Sequence, residues 1–161
     1  MNGERFEKME SSKIEDSLTK ESIIRLIALA RTNESKNHAV KFPIKEEVKA
    51  LLENEMEDNF DGYSFQIDIY AIKHILKEHS NQSKEDSRGQ IAVNDEDILL
   101  VLDVLQLPDL ILNSGKNKLG KETITFIKQI DNRYVIIQEV RTGRKTVALN
   151  SMRIFKTKRT N

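Results

Sequence analysis

The sequence predicts an α+β protein, with N-terminal helices packed on one face of a C-terminal antiparallel sheet of about four strands. Two observations carry this. Upstream, apolar residues recur at helical spacing, as in Ile23, Leu26, Ile27 and Ala30, which fall on one side of a helix. Downstream, runs rich in β-branched and aromatic residues follow one another in ITFIKQI, YVIIQEV, KTVALN and MRIFK. The turn formers Asp131 with Asn132, Thr142 with Gly143, and Asn150 with Ser151 separate them.

The strand pattern also sorts side chains by face. With Thr142 and Gly143 as a two-residue hairpin turn, Arg141 pairs with Arg144, Glu139 with Thr146 and Gln138 with Val147, and paired residues share a face. One face collects Tyr134, Ile136, Gln138, Val140, Val147 and Leu149, together with Lys145, and its mostly apolar character suits cover by helices. The other collects Glu139, Arg141, Arg144 and Thr146. Guanidinium forks match phosphate oxygens and a carboxylate can take a proton, so this end of the sheet is a candidate floor for a phosphate-handling groove. The same residues also fit cross-strand charge pairs on a solvated face.

In chain order, residues 1–18 are charged, lack an apolar stripe and are expected to form a mobile lead-in. Thr19 is the expected cap of a first helix that ends near Thr32. Residues 33–41 read as a polar loop, and their lone His38 has no partner at metal-ligand spacing. Pro43 suits the first turn of a second helix with the stripe Ile44, Val48, Leu51 and Leu52. Residues 63–69 alternate apolar and polar as a short strand does.

The third helix, IYAIKHILKEHS, holds two of the three histidines. Its stripe of Ile72, Ile75 and Leu76 continues to His79, which faces the body of the protein, whereas His74 faces solvent. Residues five apart lie about 140° apart around a helix, so the two imidazoles are not expected side by side. At the rim of a buried face His79 could transfer protons near neutrality, or it could simply be a helix-terminal histidine favoured by the dipole. Residues 81–90 show no core positions and read as a loop presenting Arg88 and Gly89. Asn94 followed by Asp95, Glu96 and Asp97 starts a further helix with the stripe Ile98, Val101, Leu102 and Leu105, which Pro108 ends. Residues 110–112 add a brief strand, residues 113–120 a flexible basic loop, and the tail from Lys156 is expected to fray.

At 161 residues and 38% hydrophobic content, the chain can build one globular core with an extra helical segment. Cysteine is absent, which rules out a disulfide framework or a thiolate zinc site and fits a reducing cytoplasm. The longest apolar run, residues 23–30, is broken by Arg25 and is too short to cross a bilayer, and the N-terminus lacks the apolar stretch of a signal peptide. No membrane association is expected. The formal charge of zero conceals a gradient: residues 113–161 hold 12 bases and 3 acids, whereas residues 63–112 hold 4 bases and 9 acids. A polyanion would be drawn to the sheet and released by salt, and the acidic helices could also dock on the basic strands.

The succession HILKEHS, RGQIAV, NDEDI, PDLI, ITFIKQI and YVIIQEVRTGRKTVALNSM resembles the phage-associated nuclease domains of the barnase–EndoU–colicin–RelE-like superfamily. The resemblance covers residues 67–155 and suggests a division into an N-terminal helical extension, 1–60, and a nuclease domain, 61–161. It implies helices first and a four-stranded antiparallel sheet after, and a metal-independent ribonuclease, often a toxin or effector of a phage or mobile element. The family's histidine helix falls on His74 and His79, its Arg-Gly-Gln loop on Arg88 and Gln90, its basic strand pair on Arg141, Arg144 and Lys145, and its small hydroxyl position on Ser151. Ser80 departs from the glycine that often follows the second histidine.

The expected activity is endonucleolytic RNA cleavage by attack of the ribose 2′-hydroxyl on the adjacent phosphate, with no cofactor and no metal. Proton transfer falls to His79, with Glu139 or His74 as its partner, and charge stabilisation to Arg141 and Arg144. Arg88, Gln90, Lys145, Thr146 and Ser151 would hold the substrate, although Lys145 needs a bulge near Gly143 to reach that face. RNA is the expected partner, with an inhibitor or antitoxin protein as a second. The competing expectation is a non-catalytic nucleic-acid-binding or structural module of a phage or mobile element.

Overall fold

The protein is described by a computed structural model over residues 3–157, with side chains from residue 15 onward. The frayed end expected beyond Lys156 lies largely outside the described residues. Helix α1 spans Gly3–Ala30, well upstream of Thr19, whose hydroxyl donates to the Glu15 carbonyl at 2.8 Å from within the helix. The charged lead-in is therefore helical and Thr19 is no cap. Glu, Lys, Arg and Met have high helix propensity, and the docked turns around Ile23, Leu26 and Ile27 supply the nucleus from which such a segment extends.

Strand β1, Ala39–Pro43, occupies what reads in sequence as a polar loop and a helix start, and helix α2 begins later, at Glu46–Met56. Proline is tolerated there because β1 is an edge strand. Within α2, Val48, Leu52 and Met56 are buried, while Leu51 faces solvent. Strand β2, Ser64–Asp68, leads straight into α3, Ile69–His79. A short helix α4, Gln82–Ser87, and a two-residue strand β3, Gln90–Ile91, replace the expected loop. The next helix, α5, spans Asp95–Gln106 and carries the capping box its sequence announces: Asn94 accepts from the Asp97 amide at 2.9 Å and Asp97 from the Asn94 amide at 3.0 Å.

Four strands follow: β4 Leu110–Lys116, β5 Glu122–Ile130, β6 Asn132–Arg141 and β7 Thr146–Phe155. They form the expected C-terminal antiparallel meander, but differently divided. KTVALN and MRIFK are one strand, and β4 extends to Lys116, into the segment read as a basic loop. The supposed turn at Asn150 and Ser151 is a β-bulge: Gln138 pairs with Leu149 and Ile137 with Ser151, leaving Asn150 as the extra residue. Among the described residues the sheet has seven strands in the order β1-β2-β7-β6-β5-β4, with β3 also paired to β7. All these pairings are antiparallel except β2 with β7.

The hairpin register is displaced by two residues from the simple one. Arg141 pairs with Thr146 and Glu139 with Ala148, because Thr142–Arg144 make a 3-10 turn that Lys145 closes in the left-handed region at φ 51°. A shift of two keeps Gln138, Glu139, Val140, Arg141, Thr146, Val147 and Leu149 on their predicted faces, since strand periodicity is two, whereas Arg144 and Lys145 fall in the turn and leave the sheet faces assigned to them. The apolar face is accordingly buried under the helices, and Tyr134 on β6 donates its hydroxyl to Asp97 of α5 at 2.8 Å. Ile23, Leu52, Phe65, Phe126, Ile136 and Ile75 share one apolar core spanning α1, α2, α3 and the sheet. Fully burying side chains of this kind stabilises the fold by about 1.5–3 kcal/mol each.

Candidate active site

Helix α3 begins where β2 ends, and the Asp68 carboxylate caps it by accepting from the Ala71 amide at 2.8 Å. The helix packs beside β7, along the interval between the end of the β2 pairing at Ala148 and the start of the β3 pairing at Ile154. That interval holds the Asn150 bulge. The helix ends at Ser80 in a right-handed conformation, and Asn81 immediately caps α4, so no glycine is needed after His79. The His79 carbonyl accepts from the Val93 amide at 2.7 Å, fixing the end of α3 against the start of the next unit.

His79 is buried and His74 exposed, as the periodicity predicts. Their rings nonetheless lie 6.4 Å apart, edge to face, which corrects the expectation that they would not meet. The cleft sits at the boundary between the buried and exposed sides of α3, so an imidazole from each side can lean into it.

Three depressions adjoin along this surface. The first, about 440 Å³, is walled by His74, Glu78 and His79 of α3 with Arg88, Ser151 and Arg153. The second, about 350 Å³, shares His74 and Asn150 with the first and adds Asp68, Asn37 and Arg141. The third, about 370 Å³, shares Arg141 and adds Arg144, Gly143 and Lys121. The histidines of α3 and the guanidiniums at the hairpin thus line one run of clefts on the same side of the molecule, and among the described residues no apolar plug fills it.

Arg141 is held between two carboxylates. Its Nε donates to Glu139 at 3.1 Å and its terminal nitrogen lies 3.8 Å from Asp68. Glu139 is buried, and its second oxygen accepts from Asn117 at 2.8 Å, so both of its oxygens are engaged. Arg144 is exposed in the 3-10 turn. Lys145 lies outside the three clefts, its side chain against Gly62, where an added Cβ would come 3.6 Å from Lys145 Cδ. Gln90 and Thr146 are buried under the sheet surface, and among the described residues Gln90 Oε1 and Thr146 Oγ1 have no hydrogen-bond partner. Ser151 is nearly buried yet reaches the first cleft.

Sequence reasoning missed several neighbours. The foremost is Glu85, fully buried on α4, whose carboxylate lies 3.3 Å from His79 Nδ1 and 3.3 Å from an Arg88 nitrogen. Nothing in QSKEDS marks it as a core position. Arg153 could have been found, since it follows Ser151 by two along one strand face. Asp68 and Lys121 carry no signal of their own, whereas the strand alternation already puts Asn150 on the charged face. Burial holds the His79 pKa below the usual histidine value, Glu85 works against that shift, and Arg153 and Arg88 add to it. Burial thus favours the neutral form of the ring.

Among the described residues no three His, Cys, Asp or Glu side chains gather into a set that could hold a metal ion, and no helix is long and apolar enough to cross a membrane. The α+β fold thus sets the imidazoles of α3 and the guanidiniums of the sheet and its hairpin along adjoining clefts, an arrangement suited to handling phosphate. Residues 43–161 match the phage-Barnase-EndoU-ColicinE5/D-RelE like nuclease 3 family, and the chain belongs to that family. No curated protein and no solved structure matches it. Membership makes nucleic acid the substrate class.

Proposed function

We propose that the protein is an endoribonuclease that cleaves RNA without a metal, by transesterification. The observation that carries this reading is the shared cleft of His74 and His79, continuous with Arg141 and Arg144. One imidazole takes the proton from the ribose 2′-hydroxyl, O2′ bonds to phosphorus, and the P–O5′ bond breaks as the other imidazole protonates the leaving oxygen. The products are a 2′,3′-cyclic phosphate and a 5′-hydroxyl. His74 is favoured over Glu139 as the partner of His79, because both oxygens of Glu139 are already bonded. Arg141 and Arg144 face the charge that builds on the phosphorane, while Arg88 and Ser151 position the flanking phosphate. Guanidinium and imidazole groups can supply this charge compensation in place of a metal cation, which is the ground for metal independence.

A toxin or effector role, countered by an inhibitor protein and exerted in the cytoplasm, completes the proposal; the absence of cysteine fits a reducing compartment. The competing reading, a binding module without turnover, draws support from Arg141, which is already engaged by Asp68 and Glu139. Incubation of the purified protein with mixed RNA in EDTA, followed by end-group analysis, decides between them. Cyclic-phosphate ends that disappear with His79→Ala while RNA binding persists support the enzyme. Intact RNA at every salt concentration, or cleavage that requires a divalent ion, overturns it.

A further inference from the structure

A fully buried carboxylate is costly unless it is paired, and Glu85 has two partners of different kinds. Arg88 approaches Oε1 from the exposed side at 3.3 Å and supplies the opposing charge. His79 approaches from the core side through Nδ1, 3.3 Å from Oε1 and 3.4 Å from Oε2. With its charge met by the guanidinium, the carboxylate needs only a proton donor from the ring, which a neutral imidazole provides when its proton sits on Nδ1. Nε2 is then the ring nitrogen left for the cleft that His79 lines.

We propose that Glu85 is a positioning residue that keeps the His79 proton on Nδ1 and so leaves Nε2 bare toward the cleft, which makes His79 the base of the two imidazoles. This rests on the nuclease reading for its catalytic meaning but not for its geometry. The groups that face His79 are of both signs. Glu85 and Arg88 come from α4 and its C-terminal end, Arg153 from β7, and His74 and Glu78 from α3 itself. The two guanidiniums disfavour an imidazolium and the two carboxylates favour it, while burial, the largest influence, shifts the ring toward its neutral form. A third group that orients a base is the arrangement general to base-activated nucleophilic attack.

The test is the protonation pattern of the His79 ring in the full-length protein, read by nitrogen-15 NMR, for wild type, Glu85→Gln, Glu85→Asp and Arg88→Gln. Wild type should show the neutral ring protonated on Nδ1. Glu85→Gln should shift the population toward Nε2–H and lower kcat about 10-fold or more with KM unchanged. Glu85→Asp should recover part of both. Arg88→Gln, checked for a wild-type fold by circular dichroism, should keep the proton on Nδ1 and move the ring's titration to higher pH. A wild-type ring protonated on Nε2, or a pattern that does not respond to Glu85→Gln, overturns the proposal. If wild type shows the Nδ1 form but cleaves no RNA, the nuclease reading fails and the positioning contact stands.

Discussion

His74 and His79 present their rings 6.4 Å apart at 75° although five residues separate them on α3. Two titrating groups over one phosphate, one giving and one accepting a proton, produce a bell-shaped dependence of kcat/KM on pH. The acid limb belongs to the base. With the His79 pKa depressed by burial, that limb should fall below 6.5, the ordinary histidine value. His74→Ala should slow cleavage roughly 100-fold or more. A profile flat from pH 5 upward in wild type would contradict this pairing.

Arg144 is exposed and has no ion-pair partner among the described residues, so its removal leaves the fold unchanged. Every guanidinium withdrawn from a phosphate flattens the slope of log affinity against log salt by about 0.7 for a single strand. Binding of single-stranded RNA by Arg144→Ala, measured over a salt series on a cleavage-deficient background, should therefore show a shallower slope and weaker affinity for all sequences alike.

Stability should fall on mild acidification because of His79. Its pKa is lower in the folded protein than in the unfolded chain, so between the folded value and 6.5 the unfolded state binds more protons and stability rises with pH. The contribution is complete above 6.5 and is lost as pH drops toward the folded value. Urea unfolding at about pH 7.5 and about pH 5.5 should show wild type losing more stability than His79→Gln. The opposite order would mean that the contact with Glu85 outweighs desolvation.

Asp97 serves two elements at once, closing the α5 capping box through one oxygen and accepting from Tyr134 through the other. Asn94→Ala should cost about 1 kcal/mol. Tyr134→Phe removes a hydrogen bond to a carboxylate and should cost about 1.5–3 kcal/mol. For a domain of this size each kcal/mol lowers Tm by roughly 2–4 °C, within reach of calorimetry.

The sequence was most informative where periodicity and capping act alone. Residues 94–105 announced α5 completely, and the alternation along β6 and β7 assigned faces that survived a two-residue error in register. It failed where partners decide the outcome. β1 looks like a loop because Ala39–Pro43 is a short edge strand ending in proline, and only its pairing with β2 makes it one. Asn150 and Ser151 have the composition of a turn, yet neighbours on both sides hold them in a single strand with one residue extruded. Glu85 was invisible because its burial comes from the packing of α3 and β3 around a six-residue helix of polar composition. The charge gradient, by contrast, pointed correctly to a cation-rich sheet surface, since Arg141, Arg144 and Arg153 line the clefts.

The parallel pairing of β2 with β7 sets Ser64 beside Thr146 and so joins early and late parts of the chain. Contacts of such long sequence separation form late and slowly in folding. A nascent chain emerging from the ribosome with both histidines already exposed still lacks the floor that β7 lays beneath them. Under the proposed nuclease reading, no assembled cutting surface exists until synthesis has carried the chain past its final strand.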